Sequence, residues 1–152
     1  AFPRLQDMGV EDFLIASTVN VVIAQRLVRK VCASCTQHVE LEAVTEKLLE
    51  HNPQIQEYLR KVSNKKTLRG ITLYKGKGCH VCHQSGYHGR LGVFEVLTVS
   101  EPIREAIMAH KNADDIREMA LKEGMTTMVY DGVRKVTLGV TTLEEVLRVT
   151  SE

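Results

Sequence analysis

The sequence lacks tryptophan and has few other aromatic residues: three Phe and four Tyr, 5% of its 152 residues. Proteins that hold single-stranded nucleic acid stack bases on aromatic side chains, and nucleic-acid-binding modules usually carry a surplus of Lys and Arg. Here 20 basic residues balance 19 acidic ones, for a net charge of +1. The composition therefore argues against a nucleic-acid module, and no nucleic-acid partner is expected.

The sequence also lacks a long hydrophobic run. Its longest apolar stretch, 13–24, is interrupted by Ser17, Thr18 and Asn20, whereas a membrane-spanning helix needs about 20 apolar residues. No secretory segment is recognisable. With 43% hydrophobic and 26% charged residues, the composition is that of a globular protein. We expect a cytosolic protein with one ordinary domain or two small ones.

Nucleotide-binding loops are missing as well. Neither GxxxxGK[ST] nor GxGxxG occurs in the sequence. The glycine-rich segments 76–78 and 86–92 resemble a phosphate loop, but no Lys-Ser/Thr pair and helix follow them. These glycines instead surround two cysteines. We expect them to let the backbone fold closely around those cysteines and to point amides at the sulfur atoms.

The four cysteines form two CxxC pairs, separated by the 43 residues 36–78. Two residues between thiols allow one tight turn to aim both sulfurs at a single ion, and two such turns complete a tetrahedral site that suits Zn²⁺. The sequence therefore predicts a structural zinc held by Cys32, Cys35, Cys79 and Cys82. Because four protein ligands leave no position for water, this metal would not support hydrolysis.

The sequence alone also allows other interpretations of the cysteines. The thiols could form disulfides, act as a redox pair or be unpaired core residues, although disulfides are rare in reducing cytosol. A rubredoxin-type iron site is a further alternative. One of the nearby histidines His80, His83 and His88 could also replace a cysteine. We expect these histidines to lie outside the ligand set.

Periodicity predicts alternating helices and strands, the pattern of an α+β fold. Gly9 is predicted to end a first helix, and a second helix is predicted over 10–18. The branched residues of 21–31 favour a strand that delivers the first cysteine pair, although a helix also fits. Further strands are predicted over 71–74 and 90–99. Together they describe a four-cysteine, hairpin-like zinc element.

Between the cysteine pairs, the spacing of apolar residues predicts a helical insertion. The first stripe consists of Leu41, Val44, Leu48 and Leu49. A second helix begins with Asn52 as N-cap and Pro53 in its first turn. Its stripe consists of Ile55, Tyr58, Leu59 and Val62.

The last third is predicted to be a bundle of helices. They start near Ser100, Asn112, Met125 and Thr141. Gly124 ends the second helix, Gly132 interrupts or weakens the third, and Gly139 is a break. The run 141–145 predicts a capping box at the start of the last helix.

Several stretches resemble one family. They are 7–10 (DMGV), 13–17 (FLIAS), 24–30 (AQRLVRK) before the first cysteine pair, 74–79 and 86–95 around the second, and 131–135 and 139–146 near the end. These stretches are similar, in the same order, to those of the ATPases of type II secretion and type IV pilus assembly, in the members that carry four cysteines.

The resemblance implies three parts: the last elements of a RecA-like ATPase domain (1–31), a tetracysteine metal-binding subdomain (32–99) and a C-terminal helical subdomain (100–152). The family's ATP- and Mg²⁺-binding motifs belong to an upstream region, so this stretch would contain no catalytic residue and hydrolyse nothing by itself. The parent would be a cytoplasmic homohexamer, held at the inner membrane by a platform protein. The alternative is a stand-alone zinc-ribbon adaptor that binds nucleic acid or protein.

Overall fold

Helices and strands alternate along the chain. The computed structural model describes residues 2–41, 49, 52–64, 66–68 and 70–150. The described helices are α1 (Phe2–Asp7), α2 (Asp12–Thr18), α3 (Pro53–Ser63), α4 (Glu101–Met108), α5 (Ala113–Lys122), α6 (Met128–Thr137) and α7 (Leu143–Thr150). The strands are β1 (Val21–Val31), β2 (Thr36–Glu40), β3 (Thr72–Gly76) and β4 (Tyr87–Thr98). The mixed α+β class is confirmed. The helix predicted around 41–49 falls mostly outside the described residues.

The strands form two separate two-stranded sheets, β1 with β4 and β2 with β3. Val99 N donates to Asn20 O at one end of the first pair, and Cys32 N donates to Gly86 O at the other, so β1 and β4 run antiparallel. In the second pair His38 lies opposite Tyr74. The strand β2 was not predicted. Four of its five residues are exposed, so it lacks the apolar alternation that marks a half-buried strand.

The chain divides into two compact units, each made of two stretches. The first unit comprises 1–24 and 95–127, and the second comprises 25–94 and 128–152. The core of the first unit includes Ile15, Ile103 and Ile107, which are at most 1% exposed. None of the helices in the described ranges is long and apolar enough to span a bilayer.

The second unit has its own core, to which helices and the β2–β3 sheet contribute. Its buried residues are Leu41, Leu49, Ile55, Leu59, Ile71, Leu73, Val133, Val136, Leu143 and Val146. The stripe predicted for α3 is confirmed, because two of its members are buried and the other two are half-buried against this core. The prediction that Pro53 opens α3 is also confirmed.

The helix ends follow the sequence closely at two glycines. After α5, Met125 N donates to Ala120 O and Gly124 N donates to Leu121 O. This pair of bonds is a Schellman motif, which needs a residue with positive φ at its C′ position. Gly124 has a φ of +97°, and Gly9 ends α1 in the same motif. Both predicted stops are confirmed.

Two predictions about helix α6 were wrong: its first residue and the interruption at Gly132. Helix α6 starts at Met128 rather than Met125, and it continues through Gly132. A Cβ at Gly132 would lie 2.6 Å from Val146 Cγ1, so the glycine lets α6 pack closely against α7. Helix α4 begins as predicted, with Ser100 at the N-cap position. The Ser100 hydroxyl donates to the Glu123 carboxylate and makes no capping hydrogen bond to the first turn of α4.

Candidate metal centre

The four cysteine sulfurs lie together in the second unit, all within 4.8 Å of one another. The Sγ–Sγ distances are 3.9 Å for Cys32–Cys79, 3.8 Å for Cys35–Cys82 and 3.7 Å for Cys79–Cys82. A tetrahedron with Zn–S bonds of about 2.3 Å has edges of about 3.8 Å. A disulfide would bring two sulfurs to about 2.05 Å, and all four thiols are free. The sulfurs can therefore hold a tetrahedral metal ion.

Two tight turns present these sulfurs. Strand β1 ends at Val31 and leads directly into Cys32, and Cys35 N donates to Cys32 O across the first turn. In the second turn, Gln84 N donates to Cys79 O. The two turns are joined because Cys32 N donates to Gly86 O. The predicted delivery of the first pair by β1 is confirmed.

Glycines make this close approach possible. A Cβ on Gly76 would lie 2.0 Å from Gly86 O, and Gly86 itself has a φ of +76°. No side chain fits between these two backbone segments, which flank the second cysteine pair. The expectation that glycines allow the backbone to fold closely here is confirmed.

Backbone amides also point at one sulfur. Cys79 N and Gly86 N donate to Cys82 Sγ at 3.1 and 3.3 Å. Burial alone would raise the pKa of the Cys82 thiol, but these amides and the neighbouring thiols lower it to about 6. Burial raises the pKa of the Cys35 thiol to about 12, despite a backbone hydrogen bond from Gly78. A bound cation would favour the thiolate at all four positions.

The histidines lie outside this cluster. In the described ranges, the group of potential ligands contains the four cysteines and no histidine. His80, His83 and His88 are exposed, and the His80 and His83 ring centroids are 6.5 Å apart. Their predicted place outside the ligand set agrees with this arrangement.

Sequence reasoning missed a second polar site, built around Glu145 on α7. This carboxylate is 1% exposed. Its Oε2 accepts from Arg29 N at 2.8 Å, and Oε1 accepts from the Arg29 guanidinium at 2.7 Å. Arg148 donates to both oxygens. Hydrogen bonds from Arg148, and then from Arg29, outweigh burial and lower the pKa of Glu145 to about 2.

The predicted capping box is only half formed. Glu145 N donates to Thr142 Oγ1 at 3.4 Å, but the Glu145 side chain turns to the two arginines instead of completing the box. Nothing in the sequence distinguishes Glu145 from its exposed neighbour Glu144, because both are acidic residues in the first turn of a helix.

This polar site also contacts the residues beside the cysteine turns. Arg29 stacks on the Tyr87 ring at 4.3 Å, and the Tyr87 hydroxyl lies 3.0 Å from Thr142 Oγ1. Val31 N donates to Val140 O at 2.9 Å. Val31, which precedes Cys32, and Tyr87, which follows Gly86, therefore form hydrogen bonds to the segment just before α7.

Known proteins are similar to this chain along almost all of its length. The family model described as "Type II/IV secretion system protein" matches residues 1–148. The chain belongs to this family. Its resemblance to the secretion and pilus-assembly ATPases is thereby confirmed.

Individual relatives are similar along the entire chain. Identity is 41% to the type IV pilus assembly ATPase PilB of Thermus thermophilus, over 100% of this chain and 16% of that protein. It is 40% to the type II secretion system protein E of Dickeya dadantii and 38% to the type II secretion system ATPase E of Vibrio cholerae, each over 100% of this chain and 27% of the relative. The chain thus spans between about a sixth and a quarter of the length of these relatives.

Proposed function

We propose that the chain is the C-terminal, zinc-stapled part of a cytoplasmic ring ATPase that powers type IV pilus assembly or type II secretion. The family match over 148 of the 152 residues carries this proposal. In it, 1–31 are the last elements of a RecA-like domain, 32–99 the metal-binding subdomain and 100–152 the C-terminal helical subdomain. ATP and Mg²⁺ would bind elsewhere in the parent, because this sequence has no phosphate-binding loop.

Within this proposal, Cys32, Cys35, Cys79 and Cys82 hold one zinc ion. A four-thiolate site is closed, so the ion would supply rigidity and no hydrolytic chemistry. The tetrahedral spacing of the sulfurs supports zinc. The amides directed at Cys82 support it as well, because such hydrogen bonds orient and stabilise thiolate ligands.

The proposed role of the centre is mechanical. The parent would act as a homohexamer whose nucleotide state moves rigid bodies, and these would act on a platform protein of the inner membrane. Zinc would tie the end of β1 to the turn after Cys79, and Glu145 would tie β1 to α7. A body held in this way transmits motion because its elements do not shift against one another.

The full-length protein tests this role through Cys35→Ser, with Ser34→Ala as the matched control. Ser34 is exposed and lies in the same turn. Both variants are first checked to be folded and hexameric. We expect Cys35→Ser to keep basal ATP hydrolysis but to lose filament assembly or secretion in cells, and Ser34→Ala to keep both.

Two results would count against the proposal. If a metal-free Cys35→Ser variant assembles filaments or secretes normally, the metal centre helps the protein to fold and has no mechanical role. A full-length protein without ATPase activity that binds nucleic acid, with an affinity that falls steeply with salt, would favour the zinc-ribbon adaptor instead.

A further inference from the structure

The near-zero net charge conceals an uneven distribution. The first unit contains five Lys and Arg residues and ten acidic ones, whereas the second contains fifteen and nine. The contrast is greatest in the stretch that contains the second cysteine pair: from Tyr58 to Phe94 there are eight Lys and Arg residues and no Asp or Glu. Three of the eight, Lys75, Lys77 and Arg90, lie within eight residues of the pair. The acidic unit of one copy is therefore electrostatically complementary to the basic unit of a second copy.

The first unit carries a shallow apolar groove of about 550 Å³, to which α2 and α4 contribute. Phe13 and Met108 line it and are 52% and 49% exposed. Glu101 and Glu105 also line it and are exposed. Arg104 also lines the groove; it donates to Ala16 O and to Asn20 Oδ1, and its Nε lies 3.9 Å from a Glu101 carboxylate oxygen. An incoming surface therefore meets an apolar floor with two exposed carboxylates, of which Glu101 forms a weak, solvent-exposed pair with Arg104.

The second unit offers an exposed apolar residue beside positive charge. Val81, in the turn between Cys79 and Cys82, is 51% exposed. Lys75 and Lys77 precede this turn and are exposed. In the part of the chain that the structure describes, no acidic side chain lies within ion-pairing distance of Lys75 or Lys77. The turn thus presents an apolar tip beside two available cations.

We propose that the cysteine turn around Val81 in one copy docks into the groove of Phe13 and Met108 in a second copy, with Lys75 and Lys77 facing Glu101 and Glu105. The contact joins two different surfaces and is therefore head-to-tail. Repeated contacts of this kind form a closed ring when the rotation from each copy to the next brings the last copy back to the first. A second copy is favoured over a nucleic acid because the chain supplies the complementary acidic surface and has few aromatic residues. This inference rests on the proposed ring and names the surfaces that build it.

Charge exchange in the full-length protein tests the pairing. Glu101→Lys with Glu105→Lys should weaken self-association at least tenfold in analytical ultracentrifugation, because like charges would then face each other. Lys75→Glu with Lys77→Glu should do the same. Combining all four substitutions should restore much of the loss. Zinc content and circular dichroism establish that each variant is folded.

The matched control is Asp114→Lys with Glu118→Lys on α5. These two residues are exposed and have the same i, i+4 spacing, and Asp114, like Glu101, lies in the first turn of its helix. The control changes the net charge by the same amount but lies outside the groove. It should leave association within about twofold of the wild type. If it weakens association as strongly as the groove variant does, the effect is one of net charge and the proposed contact is wrong.

A photo-crosslinker at Phe13 identifies the partner directly. In a mixture of ¹⁴N- and ¹⁵N-labelled protein, we expect crosslinks of mixed isotope composition to residues 75–83. Crosslinks elsewhere, or to a different protein, would overturn the inference. A protein that stays hexameric in all charge variants would overturn it too, while leaving the proposed motor function intact.

Discussion

At the scale of single residues, Glu145 shows how one buried carboxylate can join distant parts of a chain. It binds the backbone amide and the guanidinium of Arg29, 116 positions away in sequence, and Arg148 on its own helix. A buried carboxylate is stable only when it is paired and hydrogen-bonded, and removing its partners leaves a costly charge. Glu145 therefore holds α7 against β1.

The low pKa of Glu145 predicts how stability depends on pH. The folded-state pKa of about 2 lies below the ordinary value of 4.5, so the ionised carboxylate favours the folded state. Its contribution is present above pH 4.5 and is lost as pH falls from there through about 2. We expect Glu145→Gln to lower the free energy of unfolding at pH 7 by up to about 3 kcal/mol. The half-exposed arginines reduce this figure.

Urea denaturation of wild type, Glu145→Gln and Glu144→Gln at several pH values measures this contribution. The difference between wild type and Glu145→Gln should shrink as the solution is acidified below pH 4.5. Metal loss in acid affects all three proteins and cancels in the comparison. Glu144 is exposed, so its variant should differ little from wild type at any pH. A pH-independent difference for Glu145→Gln would show that the carboxylate is not the stabilising form.

At the scale of elements, the sequence specified local structure better than pairing. Gly9 and Gly124 end their helices as predicted, and Asn112 caps α5 through its side chain. These signals are local, because each cap depends on residues within one turn. The strand β2 had no such signal. It pairs with β3, which follows more than 30 residues later. Because β2 is mostly exposed, this pairing does not require the alternation of apolar and polar residues by which a strand is predicted from sequence.

Removal of the metal should loosen the elements that the cysteine turns join. Cys79→Ser, or a chelator that strips zinc, should speed amide exchange first in β2, β3 and the segment 77–86, and should lower the melting temperature. Structural zinc contributes roughly 10–16 kcal/mol of apparent binding energy in small peptides, and a domain with its own core shows less of it as folding energy. Helices α2 and α4 of the first unit have a separate core and serve as the internal control.

If the metal is stripped while the melting temperature and the exchange of β2 and β3 stay unchanged, the centre does not support the fold. Faster exchange everywhere, including α2 and α4, would instead indicate global unfolding.

At the scale of the whole molecule, the spacing of the cysteines and the resemblance to the family predicted the candidate metal centre, whereas the amino-acid composition did not. The two CxxC pairs lie 43 residues apart, and their sulfurs meet at tetrahedral spacing. The overall charge of +1 gave no sign of an acidic first unit and a basic second unit. That division depends on which distant stretches fold together. The three sequential segments 1–31, 32–99 and 100–152 remain a prediction about the parent's domains.

The proposed function depends on four cysteines that hold one structural zinc ion per chain, and the metal content of the purified protein tests whether they do. Protein prepared without chelators under reducing conditions should contain about one zinc per chain by elemental analysis, and each Cys→Ser variant should contain markedly less. Four reactive thiols with no metal in a metal-replete, reduced preparation would show that the cysteines do not form a zinc centre. One iron per chain would preserve the four-thiolate centre but would show that zinc is the wrong ion.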